Sequence, residues 1–476
     1  MQNDIPVKEI DESIPHEIGE VDLYQKREKI YTRDIQGKFQ KIRLYTGWPL
    51  LLGYLILPWL SWDGRQSILF DLPARKFHIL SVTFWPQDFM ILAWILIIAA
   101  FGLFLFTTLF GRVWCGYSCP QTVWTSMFMW AEQKAEGSRN QRIKLDKQPW
   151  SLTKLWRKTL KHGMWLTIAF ITGFTFVGYF TPVRELIPDL ATLNAHPWSL
   201  FWIGFFTLAT YTNAGWMREQ VCLYMCPYAR FQSAMFDSNT LTVTYDPGRG
   251  ESRGSRKKGS DYKAKGLGDC IDCELCVQVC PTGIDIRDGL QAQCIGCALC
   301  VDACNSIMDK MEYPRDLISY TTENHLAGKP EKFWRFKPIG YMTAFAVMIG
   351  LVVFNLAGRT PLQLEVLRDR GTLYQETAQG TVENIYTLKV INMDKASQHY
   401  QIRVEGLEDI KILGDSRVFV DSGEVYELPL RVSAPKDKLT KNNYDIVFSA
   451  QSEENAELHV SHESRFLAPF SSVPKR

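Results

Sequence analysis

The chain has 476 residues, enough for about three domains. Its net charge of only +2 gives no support for a nucleic-acid partner. All 12 cysteines fall in four short motifs, leaving none for scattered disulfides and pointing to a reducing compartment around those motifs. The aromatic content of 13%, with 15 Trp, suits aromatic belts at a membrane interface.

Residues 1–43 are polar and acidic at the start, with no signal peptide, and read as a loosely ordered N-terminal segment ending in the basic run Lys38, Lys41 and Arg43. Uncharged stretches of membrane length follow at 44–62, 89–111, 162–183, within 190–217, and at 338–358. Roughly 20 apolar residues cross a hydrocarbon core of about 30 Å, so each is long enough. Any one alone is as consistent with a buried globular helix. Five together, flanked by Trp and basic residues, predict a transmembrane bundle. Segment 77–85 is too short to cross and is expected to lie in the outer interface.

Basic residues give the orientation. Segments 1–43 and 112–161 carry eight and ten Lys or Arg, whereas 63–88 and 184–189 carry three and one. The positive-inside rule then places the N-terminus in the cytoplasm and, after five spans, the C-terminal part in the periplasm.

Within the bundle, 44–235, two segments resemble each other: Val113–Phe128 and Val221–Phe236. Aligned on their C-x3-C-P motifs, Cys115, Tyr117, Cys119, Pro120 and Ser126 match Cys222, Tyr224, Cys226, Pro227 and Ser233. Cysteines at i and i+4 share one face of a helix, near enough to hold a metal or act as a redox couple. Two such pairs are expected to build a four-thiolate site at the cytoplasmic end of the bundle. Soft thiolates favour Cu(I), and a dithiol can also release electrons by forming a disulfide. Met127, Met129, Met225 and Met235 add soft sulfur, although Met in such helices is more often packing. Structural zinc or small buried thiols are the plainer alternatives.

The segment 246–268 is rich in Gly, Ser, Lys and Arg and reads either as a solvated tether or as a basic strip on anionic lipid. It leads into the densest chemistry of the chain. Cys270, Cys273, Cys276 and Cys280 form one C-x2-C-x2-C-x3-C run, and Cys294, Cys297, Cys300 and Cys304 form a second. In such runs the fourth thiolate ligates the other cluster. Cys270, Cys273, Cys276 and Cys304 are therefore expected to hold one [4Fe–4S] cluster, and Cys280, Cys294, Cys297 and Cys300 the other. Zinc knuckles, the alternative, space their C-x2-C pairs farther apart. This predicts a bacterial-type 2[4Fe–4S] ferredoxin domain over 236–337, inserted before the last span.

Residues 359–476 change character. Alternating runs such as 386–390, 400–404, 425–432 and 444–449 predict an all-β immunoglobulin-like sandwich without cysteine. His459 and His462 there read as surface histidines. His162 has no intramembrane partner, which argues against a b-type haem, and no glycine-rich nucleotide fingerprint is present.

The order of two C-x3-C-P motifs, a double ferredoxin motif, a last span and a β-rich tail resembles the CcoG/FixG/RdxA family of cytochrome c oxidase accessory proteins. That resemblance covers essentially the whole chain. It implies a multi-pass protein of the bacterial cytoplasmic membrane that reduces Cu(II) to Cu(I) for the copper centre of cbb3-type oxidase. Copper would meet Cys115, Cys119, Cys222 and Cys226. Oxidase assembly factors or copper chaperones are the implied partners, besides lipid and an electron donor. One departure from the usual bacterial ferredoxin pattern is Asn305, where Pro often follows the last Cys. Two other readings compete: a quinol dehydrogenase-type electron-transfer subunit, and a non-catalytic assembly scaffold acting through the sandwich.

Overall fold

The computed structural model describes residues 29–469 apart from positions 63, 359, 370 and 395; most of the expected loose N-terminal segment, residues 1–28, lies outside the described residues. Nine labelled helices lead up to the cluster region: α1 (Lys38–Ile56), α2 (Phe89–Phe110), α3 (Val113–Tyr117), α4 (Pro120–Glu136), α5 (Arg139–Lys147), α6 (Leu152–Gly178), α7 (Val183–Ala191), α8 (Pro197–Thr210) and α9 (Pro227–Met235). A further long helix spans Phe336–Ala357.

Among the described residues, three helices are long and apolar enough to cross a membrane: α2, α6 and Phe336–Ala357. Side chains such as Leu96, Phe106, Val353 and Phe354 leave apolar surface exposed on α2 and on Phe336–Ala357, as expected where lipid is the solvent. These helices approach closely at glycine. A Cβ on Gly102 of α2 would lie 3.0 Å from the Phe345 ring. One on Gly173 of α6 would lie 2.8 Å from the Ile203 carbonyl of α8. Small residues at such crossings let backbones meet where no hydrophobic force drives them together.

The other two expected spans are helical but differently bounded. The stretch expected at 44–62 is α-helical to Ile56, continues as a 3-10 turn to Trp59, and begins earlier, at Lys38, where Asp302 caps it from the cluster domain. That expected within 190–217 is α8 continued by a π-helical stretch, Tyr211–Met217. The third, expected at 162–183, starts ten residues sooner at Leu152. Ser151 caps it, and Lys158 and Lys161 in its first turns are neutralised by Glu136. Segment 77–85 is built into a small sheet. Lys76–Ile79 and Val82–Phe84 join Ile68–Asp71 in a three-stranded antiparallel sheet, which docks on the end of α6 through the Phe70 N–H to Tyr179 carbonyl bond of 2.7 Å.

The C-terminal domain is a two-sheet antiparallel sandwich. One sheet centres on the pairing of Thr381–Asn392 with Val425–Pro435, the other on Asn443–Ser452 between Gln398–Glu405 and His459–Leu467. Alternation puts Tyr386, Leu388, Val390, Tyr400, Ile446, Phe448 and Phe466 into one core. His459 and His462 lie three apart on one strand and so point to opposite faces.

Candidate metal centre and thiol site

The cluster domain is closed by a hairpin-like pairing of Thr242–Tyr245 with Ile318–Thr321. Between them run two copies of a loop and a helix, Leu275–Val279 and Leu299–Met311. The copies match in backbone as well as in spacing. Asp272 and Gly296, each just before the second cysteine, are left-handed, and so are Glu274 and Ala298, each just after it. A non-glycine residue pays about 1–2 kcal/mol for that conformation, and such strain gathers where a loop must wrap a ligand.

The cysteines line two small cavities. One is bounded by Cys270, Cys273, Cys276 and Cys304. The other is bounded by Cys280, Cys294, Cys297 and Cys300, with Cys276 at the shared wall. Four sulfurs around each cavity, and no competing oxygen cage, fit iron–sulfur clusters. Burial pushes the Cys294 and Cys304 thiols up to about 12, with neighbouring thiols adding to the effect. Metal binding must therefore displace protons, which couples occupancy to pH. Pro281 ends the first helix directly after Cys280. Asn305 instead continues the second helix past Cys304, and its amide exchanges hydrogen bonds with the left-handed Asp316 (3.1 and 2.8 Å).

The stretch 246–268 packs in part on the cluster domain. Arg249 pairs with Asp269 at 2.6 Å, the Gly268 N–H donates to Ser252, and Arg256 lies over the Tyr262 and Tyr313 rings. Lys257, Lys263 and Lys265 of this stretch remain exposed. Residues 29–37, expected to be loose, are bound: Arg33 N–H donates to the Gln278 carbonyl at 2.8 Å, and Arg142 donates to the Thr32 carbonyl.

The C-x3-C-P motifs differ from the expected continuous helix face. Cys115 sits in the short α3, and Cys119 is the extended N-cap of α4, with Pro120 at the first helical position. Cys222 lies in a π-helical turn, and Cys226 is the extended N-cap of α9, followed by Pro227. Each pair straddles a break, because a proline preconditions a helix start and disfavours helix in the residue before it. The four thiols are nonetheless neighbours. Burial raises the Cys115 thiol to about 12 and that of Cys222 to about 11, and in both cases nearby Cys119 contributes. Among the described residues, however, no three Cys, His, Asp or Glu side chains surround a single-ion position. Cys115 Sγ meets the Gln232 side-chain oxygen at 3.4 Å, and the amide nitrogen of that buried Gln232 has no partner.

What joins the thiols to the clusters escaped the sequence reading. Cys115 packs among Leu275, Cys297 and Leu299. Gly116 faces the cluster loop so closely that a Cβ would lie 2.9 Å from Cys297 Cα and from the Gly296 carbonyl. Arg112 donates to the carbonyls of Ala292 and Cys294 on that loop and of Ala229 in α9, tying both motifs to it. Tyr320 donates to Gly296, and Arg43 of α1 donates to the Gly116 carbonyl at 3.1 Å. Asp302 accepts from Phe39 N and Gln40 N at 3.1 and 2.8 Å, satisfying two orphan donors at the start of α1. Near these, Glu132 is fully buried between Arg142 (3.1 Å) and Arg218 (2.8 Å). Burial opposes its charge, but Arg218, Lys29 and Arg142 outweigh that and hold its pKa at about 2. His162 bonds Tyr211 at 2.8 Å and faces no second histidine among the described residues.

Comparison with known proteins bears on the same segments. Residues 217–323 match the family described as a 4Fe-4S dicluster domain, and 92–136 match a 4Fe-4S binding domain. Residues 352–469 match the IG-like fold at the C-terminus of FixG. The nitrogen fixation protein FixG of Rhizobium meliloti is 36% identical over 465 residues, covering 88% of this chain and 89% of that protein. Proteins RdxB and RdxA of Cereibacter sphaeroides are 42% and 40% identical, covering 82% and 81% of this chain and 84% of each relative.

Proposed function

Because this chain belongs to the FixG/RdxA family of iron–sulfur electron-transfer proteins, we propose that it reduces Cu(II) to Cu(I) at the thiols of Cys115, Cys119, Cys222 and Cys226. The product would serve assembly of the copper centre of a cbb3-type cytochrome c oxidase, through a copper chaperone or assembly factor. The observation that carries this reading is the packing of Cys115 and Gly116 directly on the loop of Cys297. A thiol cluster built solely for structure has no need to touch a cluster ligand.

When bound, the two [4Fe–4S] clusters supply electrons one at a time, held by Cys270, Cys273, Cys276 and Cys304 and by Cys280, Cys294, Cys297 and Cys300. The copper ion takes one electron and leaves reduced by one charge. The thiols choose the product. Cu(II) prefers nitrogen and oxygen in tetragonal geometry and Cu(I) prefers sulfur, so a sulfur-only site raises the copper potential.

In the membrane, α1, α2, α6, α8 and Phe336–Ala357 would be the five spans. The clusters and N-terminus would lie in the cytoplasm, and the sandwich in the periplasm. This fits the basic residues of 112–161, which fold here into α5 and the start of α6. The test is Cu(II) reduction by anaerobically purified protein carrying chemically reduced clusters. Wild type should yield Cu(I), whereas the variant with all four thiols replaced by Ser should not, at unchanged iron content. Equal rates in both would remove the thiols from the reaction.

A further inference from the structure

A cavity of about 490 Å³ opens where the bundle meets the cluster domain. None of the chemistry above uses it. Its wall is drawn from the first turns of α1, from α4, from the segment 32–36, and from the cluster domain. The size falls within the roughly 300–1,000 Å³ of small-molecule sites. The wall is mainly apolar, with Met127, Met129 and Leu51 among its residues, and two half-exposed tryptophans, Trp48 and Trp130 (each 52% exposed), stand at it. Charged and amide groups line it too, Arg33, Asp34, Gln36 and Arg142 besides Arg43 and Gln40. Arg43 lies beside Gln40, and its guanidinium spends only part of its five donors on the Gly116 carbonyl and the Gln40 side chain. Gln133 lies in the wall as well.

The remaining wall decides the chemistry. Val279 and Pro281 flank Cys280 on both sides, Leu299 precedes Cys300, and Gly116 with Tyr117 follows Cys115. A molecule seated there lies one residue away from two cluster ligands and from one thiol of the copper site. A mainly apolar slot with arginines and amides in its wall, against a redox centre, matches a flat amphipathic ring on a lipid-soluble tail. A soluble electron-carrier protein would instead need an exposed, convex docking face.

We propose that this cavity binds a membrane hydroquinone, which is the electron donor to the protein. The site stands on the cavity alone; its role as donor for copper rests on the function proposed above. Oxidation of one hydroquinone breaks its two O–H bonds, releases two protons to water at the open side of the cavity and gives up two electrons. Those electrons convert two Cu(II) to two Cu(I), and the quinone leaves into lipid. Arg43 is a positioning residue here, donating to a ring oxygen.

The experiment uses the full chain, loaded with iron, in phospholipid nanodiscs. An azido-substituted ubiquinone is photolysed on it and the adduct mapped, and binding of decylubiquinone and of menadione is measured in parallel to separate benzoquinone from naphthoquinone sources. The expected adducts lie in residues 32–51 and 122–133. The variant Gly47→Leu adds bulk at the wall, where a Cβ meets only Val123 at 3.6 Å. It should weaken binding at least tenfold while iron content and Cu(I) stoichiometry stay as in wild type. Should that variant fail to fold, the adduct map on wild type still decides. Adducts confined to α2 or Phe336–Ala357, binding unaltered in Gly47→Leu, or no saturable binding above the lipid background each overturn the site; the last is also the outcome expected if lipid chains or residues 1–28 fill it. Loss of copper chemistry with quinone binding intact would instead refute only the copper reading.

Discussion

Replacing Gly116 with Ala tests how tightly the thiol site is pressed on the cluster domain. Gly116 lies in α3 with ordinary helical backbone, so alanine carries no conformational penalty there, and by helix propensity alone the change favours the folded state by about 1 kcal/mol. The added Cβ would sit 2.9 Å from Cys297 Cα and from the Gly296 carbonyl, both of them backbone. Reaching ordinary contact, 3.4 Å or more, needs a displacement of half an ångström on a loop pinned by Arg112 and Tyr320. Overpacking of this kind costs about 1–3 kcal/mol, so the net effect is a destabilisation of up to about 2 kcal/mol. Two assays read it: the thermal midpoint followed by visible cluster absorbance, and amide exchange across residues 292–298. Both should report a looser loop in Gly116→Ala, together with slower Cu(II) reduction. Gly163→Ala in α6 is the control, since nothing lies within 4 Å of its Cβ position, and it should be neutral or stabilising. A Gly116→Ala protein with wild-type midpoint and exchange would show that the two sites are not in contact, and the account of electron delivery would fall with it.

Glu132→Gln should destabilise the protein by about 3 kcal/mol at neutral pH, taking the pKa of about 2 against an ordinary 4.5. Because the carboxyl is depressed, its contribution is complete above about pH 5 and fades toward pH 2; acid unfolding curves of variant and wild type should therefore converge at low pH. Asp302→Ala, which uncaps α1, should cost about 1–2 kcal/mol and raise amide exchange in residues 38–41, whereas Asp302→Asn should recover part of it. Cys273→Ser and Cys297→Ser should each lower the iron count by one cluster in preference to both, the second variant slowing copper reduction more because its loop touches the thiol site. A reporter fused within 246–268 should appear on the cytoplasmic side and one fused after 469 on the periplasmic side; finding both on one side would mean that Phe336–Ala357 does not cross.

The chemistry of this chain was legible in its sequence wherever it depends on local spacing. The two cysteine runs, the proline after each C-x3-C and the alternation in the tail are short-range patterns, and they foretell loops, helix starts and strands. What spacing cannot carry is the partner of a group far along the chain. Asp302 caps a helix 263 residues away, and Gly37 must be glycine only because that carboxylate fills the place of its Cβ. Arg112 looked like one more cytoplasmic charge, yet it binds three carbonyls on two segments. At 246–268 the pairing of Arg249 with Asp269 and the stacking of Arg256 on the Tyr262 ring hold part of a Gly/Ser-rich stretch in place, which composition alone does not announce. The helical-face argument failed at Cys119 and Cys226 because it weighed the i,i+4 spacing and overlooked the proline that follows. One signal for the Gly116 contact was available: a glycine between two motif residues, at a place where its repeat partner is Leu223.

The central claim is that the thiols of Cys115, Cys119, Cys222 and Cys226 hold copper as it is reduced. The measurement that meets it most directly is a Cu(I) titration against a competing chromophoric chelator, with iron counted in the same samples, for wild type and for the quadruple Ser variant. The account predicts tight Cu(I) binding by wild type, none above background in the variant, and about eight iron per chain in both. Unchanged Cu(I) binding in the variant at full iron content would contradict it, and would leave the protein an electron carrier for some other acceptor.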